Sequence, residues 1–228
     1  MWMNNHGEVV GFSAIAGNRG VHPFLWNGKR LVDLGTLGGP SGVAVWVNAN
    51  GAVVGSANIR GGRAFHGFLW RHGTMLELPP APGDRCSQAN SINARGQAVG
   101  ADINCRTGDS VNAMLWQNGH AYNLNSLIAP TRLHLNEAFF ISARGQIACL
   151  GTLPNGDQRV ALVTPVHGAA IQASAPAATS RSAANSNPVP TPAVRDNHDL
   201  LATLPARILE GSSLALVIRE AAQTLNAR

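Results

Sequence analysis

Asn48-Ala49-Asn50-Gly51-Ala52-Val53-Val54-Gly55 is the most informative stretch of the chain, because versions of it occur four times. The others are Asn4-Asn5-His6-Gly7-Glu8-Val9-Val10-Gly11, Asn93-Ala94-Arg95-Gly96-Gln97-Ala98-Val99-Gly100 and the diverged Ser142-Ala143-Arg144-Gly145-Gln146-Ile147-Ala148-Cys149. Their first residues fall at 4, 48, 93 and 142, giving spacings of 44, 45 and 49 residues. A second block keeps step: His22-Pro23-Phe24-Leu25-Trp26, His66-Gly67-Phe68-Leu69-Trp70 and Asn112-Ala113-Met114-Leu115-Trp116. Seven residues after each tryptophan comes Asp33-Leu34, Glu77-Leu78 or Asn123-Leu124. Three tracks held in register identify a repeat architecture.

Each repeat reads as four short strands, a to d. Strand a is the apolar run before the turn (Val43 to Val47, Ser87 to Ile92, Leu135 to Ile141). In Asn-x-x-Gly the asparagine opens a type I turn and the glycine takes the positive φ of the closing bulge. Strand b is the Val-Val-Gly segment, strand c ends in tryptophan, and strand d ends near Leu34, Leu78 or Leu124. Within strand c, His22, Phe24 and Trp26 share one face and Val21 and Leu25 the other. Apolar residues on both faces predict a sheet packed between other sheets. The expected fold class is therefore all-β: a β-propeller or partial propeller of about four four-stranded blades, with a short helical C-terminal tail.

The period, Phe24-Leu25-Trp26 and the run Asp33-Leu34-Gly35-Thr36-Leu37-Gly38-Gly39 resemble the HAF repeat family, named for a His-Ala-Phe tripeptide. The resemblance covers roughly residues 3–165. This chain has His-Pro-Phe, His-Gly-Phe and Asn-Ala-Met in place of the tripeptide, and Val160-Ala161-Leu162 in the fourth repeat. The family is described as a probable extracellular repeat, so the resemblance implies an extracellular or periplasmic location. It brings no catalytic residues.

The repeat domain is expected over 1–171, with repeats at about 1–47, 48–92, 93–141 and 142–171. Repeat one begins at its a–b turn and is expected to lack strand a, which fits a truncated chain or fragment. Imperfect closure by four blades, or chains self-associating through open blade edges, are the alternatives. Residues 172–198 are rich in Ala, Ser, Pro, Thr and Asn without apolar period and predict a disordered linker. In the tail, 199–228, Leu204 to Glu210 and a stripe of Leu214, Val217, Ile218, Ala221 and Leu225 predict two short helices.

Composition excludes several classes. Of 228 residues 13% are charged and 25 are glycine, which suits neither a coiled coil nor a charged helical bundle. No apolar run reaches the roughly 18 residues of a membrane helix, so no transmembrane segment is expected, and the N-terminus does not read as a signal peptide. The net charge of +5 comes from arginines spread along the chain, not from an arm that would bind nucleic acid specifically. No Cys-x-x-Cys pair, nucleophile elbow, phosphate loop or zinc helix occurs. No cofactor, metal site or catalytic residue is assigned. His22 and His66, recurring with the repeat, are expected to bond between neighbouring blades, and Asp33 and Glu77 to pair at strand ends.

The arginines carry the sharper expectation. In an up-and-down blade the b–c and d–a connections lie on one rim. Arg19, Arg60, Arg63, Arg106 and Arg159 fall in or beside b–c turns, and Arg85 and Arg132 in d–a loops, against Asp84, Asp109 and Asp157. A net positive rim suits an acidic glycan or acidic protein surface. The expected function is a non-catalytic extracellular or cell-surface binding module. A glycan-acting propeller enzyme, which needs two facing carboxylates, or a fragment without independent function, are the alternatives. Cys86 and Cys105 flank the third a–b hairpin, whose folding brings them to opposite strand ends and makes a disulfide geometrically plausible.

Overall fold

Each Asn-x-x-Gly block folds as a tight turn in the computed structural model, which describes residues 1–62, 64–83, 86–166 and the backbone of 217–221. Gly7, Gly51, Gly96 and Gly145 close these turns at φ of 77°, 71°, 79° and 84°, the left-handed region that a side chain disfavours. The asparagine opening the turn does two jobs. In the second repeat its carboxamide oxygen accepts from the N–H groups of Asn50 and Ala52 at 2.9 and 3.0 Å. Its nitrogen donates to the carbonyl of Asn93, the opening residue of the next repeat, at 2.9 Å. Asn4 bonds in the same way to the carbonyl of Asn48, and Asn93 to that of Ser142, at 2.9 and 3.2 Å. A ladder of side-chain amides therefore runs through all four turns.

Between the turns the chain forms four antiparallel sheets, each wound in sequence order. The first holds β1 (Trp2–Met3), β2 (Val9–Ala14), β3 (Val21–Trp26) and β4 (Leu31–Asp33). The second holds β5 (Gly38–Val47), β6 (Val53–Ile59), β7 (Phe65–Arg71) and β8 (Thr74–Leu78). The third holds β9 (Cys86–Ile92), β10 (Ala98–Ile103), β11 (Ser110–Gln117) and β12 (His120–Asn123). The fourth holds β13 (His134–Ile141), β14 (Ile147–Thr152), β15 (Gln158–Thr164) and β16 (Val217–Ala221).

Two expectations are corrected. Repeat one has its strand a, because Trp2 and Met3 pair with Val10 and Val9. The tail is not helical at 217–221: β16 pairs with β15 from Val160↔Ala221 to Thr164↔Val217. The backbone groups along the outer edge of β15 need partners, and the β-branched Val217 and Ile218 suit a strand. The expected linker at 172–198 and the remainder of the tail lie outside the described residues.

Burial on both faces follows from the pairing register. One row of the second sheet, Val47–Val53–Trp70–Met75, packs on Val10, Leu25 and Val32 of the first sheet. The corresponding row of the third, Ile92–Ala98–Trp116–Ala121, packs on Trp46, Val54 and Leu69 of the second. Ile141, Ile147 and Val163 of the fourth pack on Val99, Leu115 and Tyr122 of the third. The same pair of faces thus meets three times. Successive residues of a strand consequently enter different cores: Phe68 and Leu69 do so, as do Met114 and Leu115.

The sheets fan out from their first strands. β5 packs on β9 and β9 on β13, and the first strand of each later sheet packs on the second and third strands of the one before. Trp2 and Trp46 stack with ring centroids 3.9 Å apart, and Trp46 meets Phe140, two sheets away, edge-on at 5.5 Å. All three rings stand two residues before the opening residue of their turn; the third sheet has Ser91 there. Among the described residues the first and fourth sheets do not pack extensively on each other.

A bulge shapes the first strand of the second, third and fourth sheets near its turn. Val45, Asn90 and Phe139 are the extra residues. The bulged strand approaches so closely that a Cβ on Gly55 or Gly100 would lie 2.0 or 1.9 Å from the carbonyl oxygen of Val43 or Gln88. Cys149 occupies this position in the fourth sheet, and both β5 and β13 have a second register shift farther from the turn, between Gly38 and Gly42 and between Leu135 and Glu137.

The ladder gives a direct test. Asn48→Ala leaves buried N–H groups without their acceptor and is expected to cost about 2–4 kcal/mol in urea denaturation. Asn27→Ala removes a similar capping oxygen from an exposed turn with bonds only to Lys29 and Arg30, and is expected to cost less than about 1 kcal/mol.

Candidate binding rim

The hairpin topology sends every a–b and c–d turn to one end of the fan and every b–c and d–a connection to the other. The second end is the rim at issue. Its b–c turns are closed by backbone bonds: Ile15 to Gly20, Ile59 to Ala64, Asn104 to Asp109 and Leu153 to Asp157, each through the N–H of the first residue. Arg19, Arg60 and Arg106 lie in these turns with exposed side chains, and Arg132 is exposed in the d–a connection of residues 124–133. None of the four has a carboxylate partner among the described residues. Arg159 differs, pairing with Asp157 at 2.8 Å. Arg63 and Arg85 lie outside the described residues.

A recess of about 200 Å³ lies beside Arg132, between the short 3-10 turn at Leu124–Ser126 and the start of β13. Asn125 and Thr131 to His134 contribute to its wall. Asn125 is a fixed part of that wall, because its amide donates to the carbonyl of Leu135 and accepts from the N–H of Leu135, at 2.9 and 2.8 Å. The His134 imidazole is bonded through Nε2 to the carbonyl of Val111 at 2.9 Å. Arg132 is the one arginine in the recess wall, which also holds the apolar Ile128, Ala129, Pro130 and Leu133.

The same rim carries the recurring histidines. His22 Nδ1 bonds to the Asp33 carboxylate at 2.9 Å, and His66 Nδ1 to Glu77. Both of these bonds run from strand c to strand d within one sheet. The histidine sits two residues before the phenylalanine or its equivalent, and the acid lies opposite that residue, so the diagonal brings them together. In the third sheet Asn112 and Asn123 take the two places, and Asn123 accepts from the N–H of Asn125 instead. Burial raises the Asp33 pKa, but the Gly35 N–H and His22 outweigh it and hold the carboxyl below its ordinary 3.8.

Cys86 and Cys105 form a disulfide with Cα atoms 5.5 Å apart. It ties the start of β9 to the b–c turn that carries Arg106. Cys149 is buried, and burial pushes its thiol up to about 12. Glu137 is held between the third and fourth sheets by Gln88, Asn90 and Ser110, which donate at 3.1, 2.9 and 2.8 Å. No group of three or more His, Cys, Asp or Glu side chains converges as a metal site would among the described residues. No helix among them is long and apolar enough to cross a membrane.

Sequence reasoning did not anticipate the recess, because it is built by a loop that has no counterpart in the other repeats. Nor did it find the aromatic contact of Trp2, Trp46 and Phe140, although their common offset from the turn was a usable signal.

Two measurements check this account. Replacing Cys86 and Cys105 together with alanine is expected to lower stability by about 3 kcal/mol, from the freed chain entropy of a short loop. A depressed Asp33 pKa stabilises the fold above 3.8 and ceases to do so as pH falls through the folded value. The advantage of wild type over Asp33→Asn in urea midpoint is expected to be full near about pH 6 and to shrink below about pH 4. A difference independent of pH would contradict it.

Comparisons with protein-family models, with curated proteins and with solved structures give no match to this chain.

Proposed function

We propose that the chain is a non-catalytic binding module of the HAF-repeat type, its fan forming all or part of a β-propeller, and that its b–c and d–a rim binds an acidic glycan. The observation that carries this reading is the set Arg19, Arg60, Arg106 and Arg132, exposed on one rim without carboxylate partners among the described residues. Guanidinium groups pair with carboxylates and sulfates through forked hydrogen bonds, and several spaced cations suit a repeating anionic chain better than a single small ligand. The recess beside Arg132 supplies a place where one such group is partly enclosed.

Three further observations support the reading. The acids closest to a catalytic role are already engaged, Asp33 and Glu77 by histidines and Glu137 by three donors, which favours binding over glycoside chemistry. The Cys86–Cys105 bond suits an oxidising compartment, in keeping with an extracellular or periplasmic location. Loops on a rigid β scaffold are the usual carriers of recognition.

The opposite rim also has exposed arginines, Arg30, Arg71 and Arg144, so a comparison of rims separates a site from bulk charge. Arg60→Ala/Arg106→Ala/Arg132→Ala and Arg30→Ala/Arg71→Ala/Arg144→Ala each lower the net charge from +5 to +2, since 5 − 3 = 2. On a sulfated-polysaccharide column the first triple variant is expected to elute at clearly lower salt than wild type, and the second close to wild type. Equal loss in both variants, or none in the first, would count against the rim.

A further inference from the structure

The end faces of the fan are the two halves of an interface that the chain builds three times. In the second, third and fourth sheets the row opening with Val47, Ile92 or Ile141 is buried against the preceding sheet. The same row of the first sheet is Met3–Val9–Trp26–Leu31, by the pairings Met3↔Val9, Val9↔Trp26 and Trp26↔Leu31. No other sheet among the described residues packs extensively on it. Met3 is 62% exposed, Leu31 58% and Trp26 38%, whereas Val47 and Val53 in the second sheet are 1% and 0% exposed.

The fourth sheet presents the complementary half. The row Trp46–Val54–Leu69 of the second sheet is covered by the third sheet, and Val99–Leu115–Tyr122 of the third by the fourth. Its counterpart in the fourth sheet runs Phe140–Ala148–Leu162, with Leu150 and Val160 paired beside it. Phe140 is 43% exposed and Val160 53%. Met1, Met3, Trp26 and Leu31 are thus exposed on the outer side of the first sheet, and Val160 and, beside its contact with Trp46, Phe140 on that of the fourth, whereas Trp2 and Phe12 lie on the first sheet's other face with Val10. Apolar surface concentrated in this way marks an interaction face.

We infer that the outer face of the first sheet docks on the outer face of the fourth sheet of a second copy of this chain. The occupant is identified by continuity: the two faces are the same pair that already packs between sheets one and two, two and three, and three and four. Contact between different faces of identical chains is heterologous, so association proceeds head to tail and ends only if a ring closes. This inference is independent of what the arginine rim binds.

The test uses one charge on each face. Leu31→Glu alters the first-sheet face at an exposed side chain, and Val160→Glu does the same on the fourth-sheet face, so both variants are expected to fold with wild-type circular dichroism and thermal midpoints close to wild type. In sedimentation velocity, wild type is expected to associate as concentration rises. Each variant alone is expected to stay monomeric. A mixture of the two is expected to give a dimer and nothing larger, because only one intact face of each kind remains. A monomeric wild type at roughly 200 µM overturns the inference, as does association that survives in either single variant.

Discussion

A buried side-chain amide that must satisfy both its oxygen and its nitrogen is the constraint from which the rest of this fold follows. Asn48 is almost fully buried. Its oxygen closes its own turn and its nitrogen reaches the next sheet's turn carbonyl, so both needs are met only when the two turns stand at one fixed distance and rotation. Apolar packing between flat faces is tolerant of sliding by comparison. The ladder Asn4, Asn48, Asn93 and Ser142 thus supplies registration between sheets, while the apolar rows supply most of the attraction. Ser142 ends it: its shorter hydroxyl accepts from the N–H of Gln146 and closes its own turn.

Registration at the turns explains the packing farther along the strands. With the turns aligned, equivalent rows face one another in each successive sheet, and the bulges in β5, β9 and β13 fall at the same height. The close approach at Gly55 and Gly100 is a consequence, since the bulged carbonyl has to go somewhere and only a residue without a side chain leaves room. Cys149 takes the glycine's place in the fourth sheet, paired with Ala138 of β13.

Much of this was legible in the sequence. The repeat period gave the four sheets, the alternation in strand c gave burial on both faces, and the topology placed the arginines Arg19, Arg60, Arg106 and Arg132 on one rim. Other features were not legible, for identifiable reasons. Asn48 was readable as a turn former, but its second bond connects residues 45 apart and has no local signature. Trp2 and Met3 are too short a run to announce a strand; their pairing follows from the ladder fixing the turn beside them. The stripe Leu214, Val217, Ile218 and Ala221 fits a helix as a pattern, yet 217–221 is a strand, because an unpaired edge on β15 outweighs a weak local preference. The His22–Asp33 bond escaped because recurrence pointed correctly to a structural role but not to the partner.

Comparison of the four repeats with one another separates scaffold from surface. All four a–b turns have the same length and bonding pattern. The d–a connections at the other end span 34–37, 79–85 and 124–133, and the b–c turns differ in length as well. Variation confined to one end is what results when the amide ladder and the converging first strands bear the structural load and the far loops are released from it. Those loops then accept insertions at little cost in stability, since loop closure entropy rises only slowly with length. The longest of them forms the recess beside Arg132, and the disulfide anchors the turn that carries Arg106. That rim therefore combines loops of varying length with a disulfide-anchored turn and with guanidinium groups that have no carboxylate partner among the described residues.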